Sequence, residues 1–134
     1  MNSRIDSLLS FLKEVEKYKT VERKVWTSNL NRAESNAEHS WHMAMFLLLF
    51  KKELPQDANF TKMLKMALIH DLVEIYSGDT FAFDKKGREN KKQRESEASE
   101  KLFSQLPEDL KKEFSELFNE YEGCESKESK IVKS

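Results

Sequence analysis

Three residues have the chemical types and the positions expected of metal ligands: His39, His70 and Asp71. Each lies within or beside one of the two most apolar segments of the chain. An ionisable side chain in such a segment carries a large desolvation penalty unless it is paired or binds a cation. Imidazole nitrogen and carboxylate oxygen together suit Mn, Fe, Co, Ni or Zn, and the sequence does not choose among them. For each histidine taken singly, the structural alternative is a hydrogen-bonded core residue.

Two further acids accompany this pair of segments. Glu74 follows His70 by one helical turn and so falls on the same face of a predicted helix. Asp79 comes just after Gly78, which is predicted to end that helix. Both acids could therefore surround a metal site, although a surface acid and a helix-end acid are the structural alternatives.

The elements that must position these residues are helices. Pro (2) and Gly (3) are scarce among the 134 residues, which favours long helices over turn-rich sheet, and the length suits one domain covering residues 1–134. We predict an all-α bundle of five to six helices, with an irregular connection over residues 20–37. The first three helices are predicted over residues 3–18, over 37–54, and from Thr61 to a stop at Gly78; later ones begin near Arg88, Pro107 and Ser126. The second and third are apolar nearly all round, so we expect them to be central and buried.

Composition excludes several classes of partner. A net charge of −1 leaves no global positive field for a nucleic-acid polymer, although a small anion could bind locally. Cys124 is the single cysteine, which excludes a disulfide within the chain and a thiolate zinc cluster. The longest apolar run, residues 43–50, is far below the roughly 20 residues of a membrane span. We therefore expect a cytoplasmic protein that does not enter the membrane.

Three sequence blocks, in this order, resemble the HD-domain phosphohydrolases, and within them most closely the bacterial 5′-deoxynucleotidases. The blocks are Ala37-Glu38-His39-Ser40-Trp41-His42, then Ala67-Leu68-Ile69-His70-Asp71-Leu72-Val73-Glu74-Ile75, then Gly78-Asp79-Thr80. The resemblance implies one divalent metal ion bound by His39, His70 and Asp71 together with an aspartate on a later helix. The chain ends at Ser134 before such an acid appears, so the C-terminal part of the domain is expected to be missing.

The same resemblance implies roles for the remaining candidates. Glu74 would orient or deprotonate the attacking water, and Asp79 would help to protonate the leaving sugar oxygen. Arg23 and Trp26, in the connection before the first histidine, would hold the phosphate and exclude ribose; a solvated arginine and a packed tryptophan are the structural alternatives. We assign His42 to structure, because di-iron members of the superfamily need more histidines than the three in this chain.

The resulting functional prediction is a metal-dependent phosphomonoesterase acting on (deoxy)nucleoside 5′-monophosphates, assembled as a homodimer. One alternative is an HD hydrolase of another nucleotide, such as a nucleoside triphosphate or an alarmone. A second alternative, from a different class, is a non-catalytic helical interaction domain that retains the HD core.

Overall fold

The computed structural model describes residues 3–26, 32–77 and 90–134. Its elements, in chain order, are α1 Ser3–Val15, a 3₁₀ turn Glu16–Thr20, β1 Glu22–Trp26, β2 Ala33–Ser35, α2 Asn36–Leu49, a 3₁₀ turn Lys51–Glu53, α3 Phe60–Ile69, α4 Glu74–Ser77, α5 Lys91–Phe103, α6 Glu108–Gly123 and α7 Lys127–Lys133. The predicted all-α class is confirmed. Within the described ranges, no helix is both long and apolar enough to cross a membrane.

A short antiparallel hairpin precedes α2, where the sequence predicted an irregular connection. Its two strands pair Glu22 with Ser35 and Trp26 with Ala33, with a bulge between these pairs. The backbone N–H of Asn36 donates to the Val21 carbonyl at 2.7 Å, so the hairpin leads directly into α2. The prediction failed here because strands of five and three residues are too short to show a period in sequence.

Helix α3 forms the centre of the bundle and packs against α2, α6 and α7. Met66 and Ala67 on this helix are both 0% exposed. From the opposite side, Phe103 of α5 makes edge-to-face ring contacts with Phe114 and Phe118 of α6, at centroid separations of 5.8 and 6.3 Å. The segment that follows α3 joins the same core, since Leu72 and Val73 are buried in it.

Helix α2 is less buried than its sequence predicted. Among its apolar residues Leu47 is buried, but several large side chains of this helix and its C-terminal turn remain exposed: Trp41, Phe46, Leu48, Leu49 and Phe50. A helix at the edge of a small bundle packs along one stripe only, so an all-round apolar sequence leaves its other faces uncovered in the single chain. Helix α2 therefore packs against α3 as expected but leaves part of its apolar surface exposed in the single chain.

The predicted third helix is interrupted at the residues of the His-Asp pair. Helix α3 ends at Ile69, and a turn at residues 70–73 separates it from α4. Through this turn the backbone bonds span three residues, as in Leu72 N–H to Ile69 O at 3.1 Å and Glu74 N–H to Asp71 O at 3.0 Å. Such 3₁₀-type bonds change the rotation about the helix axis from one residue to the next. Glu74 therefore does not occupy the position relative to His70 that a continuous α-helix would give it.

Candidate metal centre

The hairpin and a helix cap fix the start of α2 and thereby the position of His39. The Ser35 hydroxyl accepts from the Glu38 backbone N–H at 3.1 Å, while the Glu38 carboxylate accepts from the Ser35 N–H at 2.9 Å. This reciprocal capping box satisfies two backbone donors that the helix cannot satisfy itself. His39 follows in the next position and is half-buried, facing α3.

The orientation of the His70 imidazole is set by its own helix. Its Nδ1 lies 3.1 Å from the Met66 carbonyl oxygen and 3.0 Å from the Ala67 carbonyl oxygen. Carbonyl oxygens can only accept, so Nδ1 must carry the hydrogen and donate it. In the neutral ring the lone pair is then on Nε2, which is the arrangement found in metal-binding histidines. The Tyr121 ring of α6 packs against this imidazole at a centroid separation of 4.7 Å.

His39, His70 and Asp71 converge on one point. One ligand atom from each lies within 4.8 Å of the others. Two ligands at about 2.1 Å from one ion are at most roughly 4.2 Å apart, so coordination requires the side chains to close in by several tenths of an ångström. The closest pair is His70 Nε2 and Asp71 Oδ2, at 3.0 Å. At this separation a proton on His70 Nε2 or a shared cation can join the two atoms, and the donor set of two imidazoles and one carboxylate fits a divalent metal ion.

The electrostatics of the site keep the ligand atoms in the forms that bind metal. Burial, followed by the positive charge of Arg23, lowers the pKa of His39 below its ordinary value. For Asp71 burial acts in the opposite direction and raises the pKa, but the hydrogen bond with His70 and the charges of His70, His39 and Arg23 outweigh it. The net pKa of Asp71 is lowered. A neutral His39 imidazole and an ionised Asp71 carboxylate are therefore favoured near neutral pH.

Arg23 lies at the edge of the metal centre. Its Nη1 is 3.9 Å from Asp71 Oδ2, and its Nε is 3.3 Å from Glu34 Oε2. The guanidinium thus extends from strand β1 across to the turn after α3. Trp26 contributes its backbone to the same strand, and its side chain lies outside the described part of the structure.

Of the two predicted catalytic acids, the structure describes Glu74. Glu74 begins α4, is 6% exposed, and accepts a hydrogen bond from the side-chain amide of Asn36. It does not line the cavity that contains the ligand atoms. Asp79 lies outside the described residues.

A cavity of about 680 Å³ opens onto the metal centre. Its lining includes His39, His70 and Asp71 together with an apolar wall of six side chains: Met43, Phe46, Leu47, Leu54, Ile131 and Val132. His42 also lines the cavity but is not among the converging ligands found in the described part of the chain. Sequence reasoning did not identify this wall or Tyr121. Helical spacing from His39 could have indicated part of it, because Met43 and Phe46 lie four and seven residues further along the same face.

Comparison with known proteins agrees with this arrangement. Residues 15–134 match the HD domain. The chain is 41% identical over 128 residues to the 5′-deoxynucleotidase HDDC2 of Bos taurus and 39% identical over 128 residues to that of Homo sapiens. In both cases the match covers 95% of this chain and 61% of the relative's length.

Solved structures with the same fold extend the comparison. A crystal structure described as a predicted metal-dependent phosphohydrolase, from Magnetospirillum magnetotacticum, has a TM-score of 0.89 at 37% identity. That match covers 98% of this chain and 67% of the other. A conserved hypothetical protein from Pyrococcus furiosus has a TM-score of 0.73 at 30% identity, covering 93% of this chain and 74% of the other. Because the HD-domain match covers residues 15–134, the chain belongs to the HD-domain family.

Proposed function

We propose that the protein is a metal-dependent phosphomonoesterase that hydrolyses (deoxy)nucleoside 5′-monophosphates. The observation that carries the proposal is the convergence of His39, His70 and Asp71 in the lining of a nucleotide-sized cavity. Relatives named 5′-deoxynucleotidase support the substrate class. The chain spans 61% of the length of those relatives, so the activity is a proposal for this protein.

The metal site is proposed to consist of His39, His70 and Asp71, with Mn, Co, Fe, Ni or Zn as candidate ions. A bound divalent ion supplies Lewis acidity and lowers the pKa of water at the site. His70 is preorganised for this role because two backbone carbonyls hold its Nδ1–H. Asp71 contributes the negative charge that balances the cation.

The remaining candidates are proposed to act on the substrate and on protons. Arg23 is close enough to Asp71 to bind a phosphate held at the metal centre, and its fixed charge suits an anionic ester. The apolar wall suits the face of a nucleobase. Glu74 is proposed to orient or deprotonate the attacking water, Asp79 to protonate the leaving sugar oxygen, and Trp26 to exclude ribose.

Phosphate release from a panel of nucleotides tests the proposal. We expect turnover of nucleoside 5′-monophosphates, fastest for the deoxy forms, with at least one of Mn, Co, Fe, Ni and Zn, and little turnover of triphosphates or alarmones. Arg23→Ala should raise KM, whereas Arg32→Ala serves as the matched control because Arg32 pairs with Glu38 on the surface. A preference for another nucleotide would replace the substrate assignment, and a folded protein with neither metal nor turnover would favour the interaction-domain alternative.

Substitution of the two acids tests their roles separately from metal binding. Positioned acid or base catalysis typically contributes about 10² to 10⁴ in rate, so Glu74→Ala and Asp79→Ala should each lower turnover by that order. Metal content measured by elemental analysis should stay near that of the unsubstituted protein. A variant that turns over at the normal rate loses its proposed role, and one that loses its metal belongs with the ligands.

We further propose that the protein is a cytoplasmic homodimer. Support for the dimer comes from the large apolar side chains exposed on α2, since a surface patch of this kind commonly marks an interface. Light scattering should give twice the chain mass of 15.8 kDa at micromolar concentration. A mass of one chain would reject the dimer.

A further inference from the structure

Asn36, at the first position of α2, is one of the most deeply buried polar residues in the described part of the chain. It is 0% exposed, and its backbone N–H donates to the Val21 carbonyl at 2.7 Å. An asparagine is ordinarily a surface residue, and burying its amide costs free energy unless hydrogen bonds replace those made to water. Its position therefore needs an explanation from the groups around it.

The side-chain partner of Asn36 is the Glu74 carboxylate, 38 residues away in sequence. Asn36 Nδ2 donates to Glu74 Oε2, and both residues are buried. A carboxylate offers only acceptors, so the amide must face Glu74 with its NH₂ group. This assignment directs Asn36 Oδ1 away from the carboxylate, and that buried oxygen has no protein partner among the described residues. Among the described residues, Glu74 alone therefore sets the orientation of the Asn36 side-chain amide, and Asn36 Oδ1 is left without a hydrogen bond.

The contact links two parts of the metal centre. Asn36 and His39 are three residues apart on α2, so they lie on neighbouring turns of one helix face. Glu74 follows the turn that presents His70 and Asp71. One hydrogen bond therefore connects the helix that positions the first histidine to the segment that holds the other two ligand-type residues.

We propose that Asn36 is a positioning residue that fixes the Glu74 carboxylate beside the turn that carries His70 and Asp71. This inference rests on the proposed function, in which Glu74 acts on the attacking water. Charge-assisted hydrogen bonds to carboxylates are short and directional, so this bond restricts rotation of the Glu74 side chain. Misplacement of a catalytic group by about 1 Å can cost on the order of 10² in rate, which sets the expected scale.

Two substitutions separate the hydrogen bond from packing. Asn36→Ala removes the donor and leaves space, whereas Asn36→Asp keeps the shape and replaces the donor with a second carboxylate. An acid in the first turn suits a helix N-terminus, so Asn36→Asp should not weaken α2 itself. Asn59→Ala is the matched control, because it removes another asparagine side chain at a helix start, where Asn59 Oδ1 accepts from the Lys62 N–H at the opposite end of α3 from His70.

We expect both Asn36 variants to lower kcat by about 10² while KM changes less than about threefold and metal content is retained. Asn59→Ala should leave kcat within about twofold. In a Glu74→Ala background, Asn36→Ala should cause no further loss, because two residues that act through one group are not additive. Normal kcat in Asn36→Asp, or an equal further loss in the Glu74→Ala background, would overturn the proposal.

A readout independent of turnover separates this inference from the proposed function. The side-chain NH₂ resonances of Asn36 should be shifted downfield and protected from exchange in the unsubstituted protein, and should lose both properties in Glu74→Ala. If no nucleotide is hydrolysed but the resonances respond, the proposed function fails while the Asn36–Glu74 bond stands. If nucleotides are hydrolysed but the resonances do not respond, the positioning role is wrong.

Discussion

Replacing one of two neighbouring histidines should show whether metal binding is confined to the converging residues. His39 and His42 lie one helical turn apart on α2 and both line the same cavity. Only His39 belongs to the cluster whose ligand atoms lie within 4.8 Å of one another. We therefore expect His39→Ala to abolish stabilisation by added metal and His42→Ala to preserve it.

The expected stabilisation by metal follows from the thermodynamic linkage between metal binding and folding. A ligand that binds the folded protein alone, present at about 100 times its Kd, stabilises it by about 2.7 kcal/mol. For a chain of this length each kcal/mol raises Tm by roughly 3 to 5 °C, so the metal should raise Tm by about 10 °C in the unsubstituted protein. The assay is differential scanning fluorimetry of chelator-treated protein titrated with Mn, Co or Zn.

The matched pair makes the result interpretable. Both variants lose an imidazole from the same helix, so a non-specific effect of histidine loss on α2 would appear in both. An equal metal-induced rise in Tm for His39→Ala and the unsubstituted protein would refute the assignment of His39 as a ligand. If only His42→Ala loses the metal-induced rise in Tm, the metal site lies nearer to His42 than we propose.

Three further predictions concern stability. Without metal, the free energy of unfolding should fall as the pH drops below about 6.5, because the unfolded chain takes up a proton that His39, with its lowered pKa, resists. It should fall again below about 4 as Asp71, whose pKa is also lowered, is protonated. Urea titrations across pH should show both losses, and the first should be absent in His39→Ala. Met66→Ala, at a site 0% exposed, should cost about 2 to 5 kcal/mol in equilibrium unfolding, whereas Leu68→Ala on the same helix, at 53% exposed, should cost under about 0.5 kcal/mol. Ser35→Ala should cost about 1 kcal/mol through loss of the helix cap, and an unchanged urea midpoint would show that the capping box contributes nothing.

Local sequence determined the helical class and the types of the candidate ligands. Helical spacing of apolar residues and the scarcity of Gly and Pro predicted the helices, because both are properties of neighbouring residues. The start of the last helix near Ser126 was predicted correctly: the Ser126 hydroxyl accepts from the Ser129 N–H at the start of α7. His39, His70 and Asp71 stood out because ionisable groups are costly in apolar helices.

Only the tertiary structure decided how those residues meet. The turn at residues 70–73 depends on packing around the end of α3, and no local pattern distinguished it from a continuous helix. Exposure of α2 depends on which neighbours cover it, so an apolar sequence alone overstated its burial. The contact between Asn36 and Glu74 joins segments 38 residues apart. Such contacts form when the whole chain packs, which is why sequence could propose the chemistry but not the arrangement that orients it.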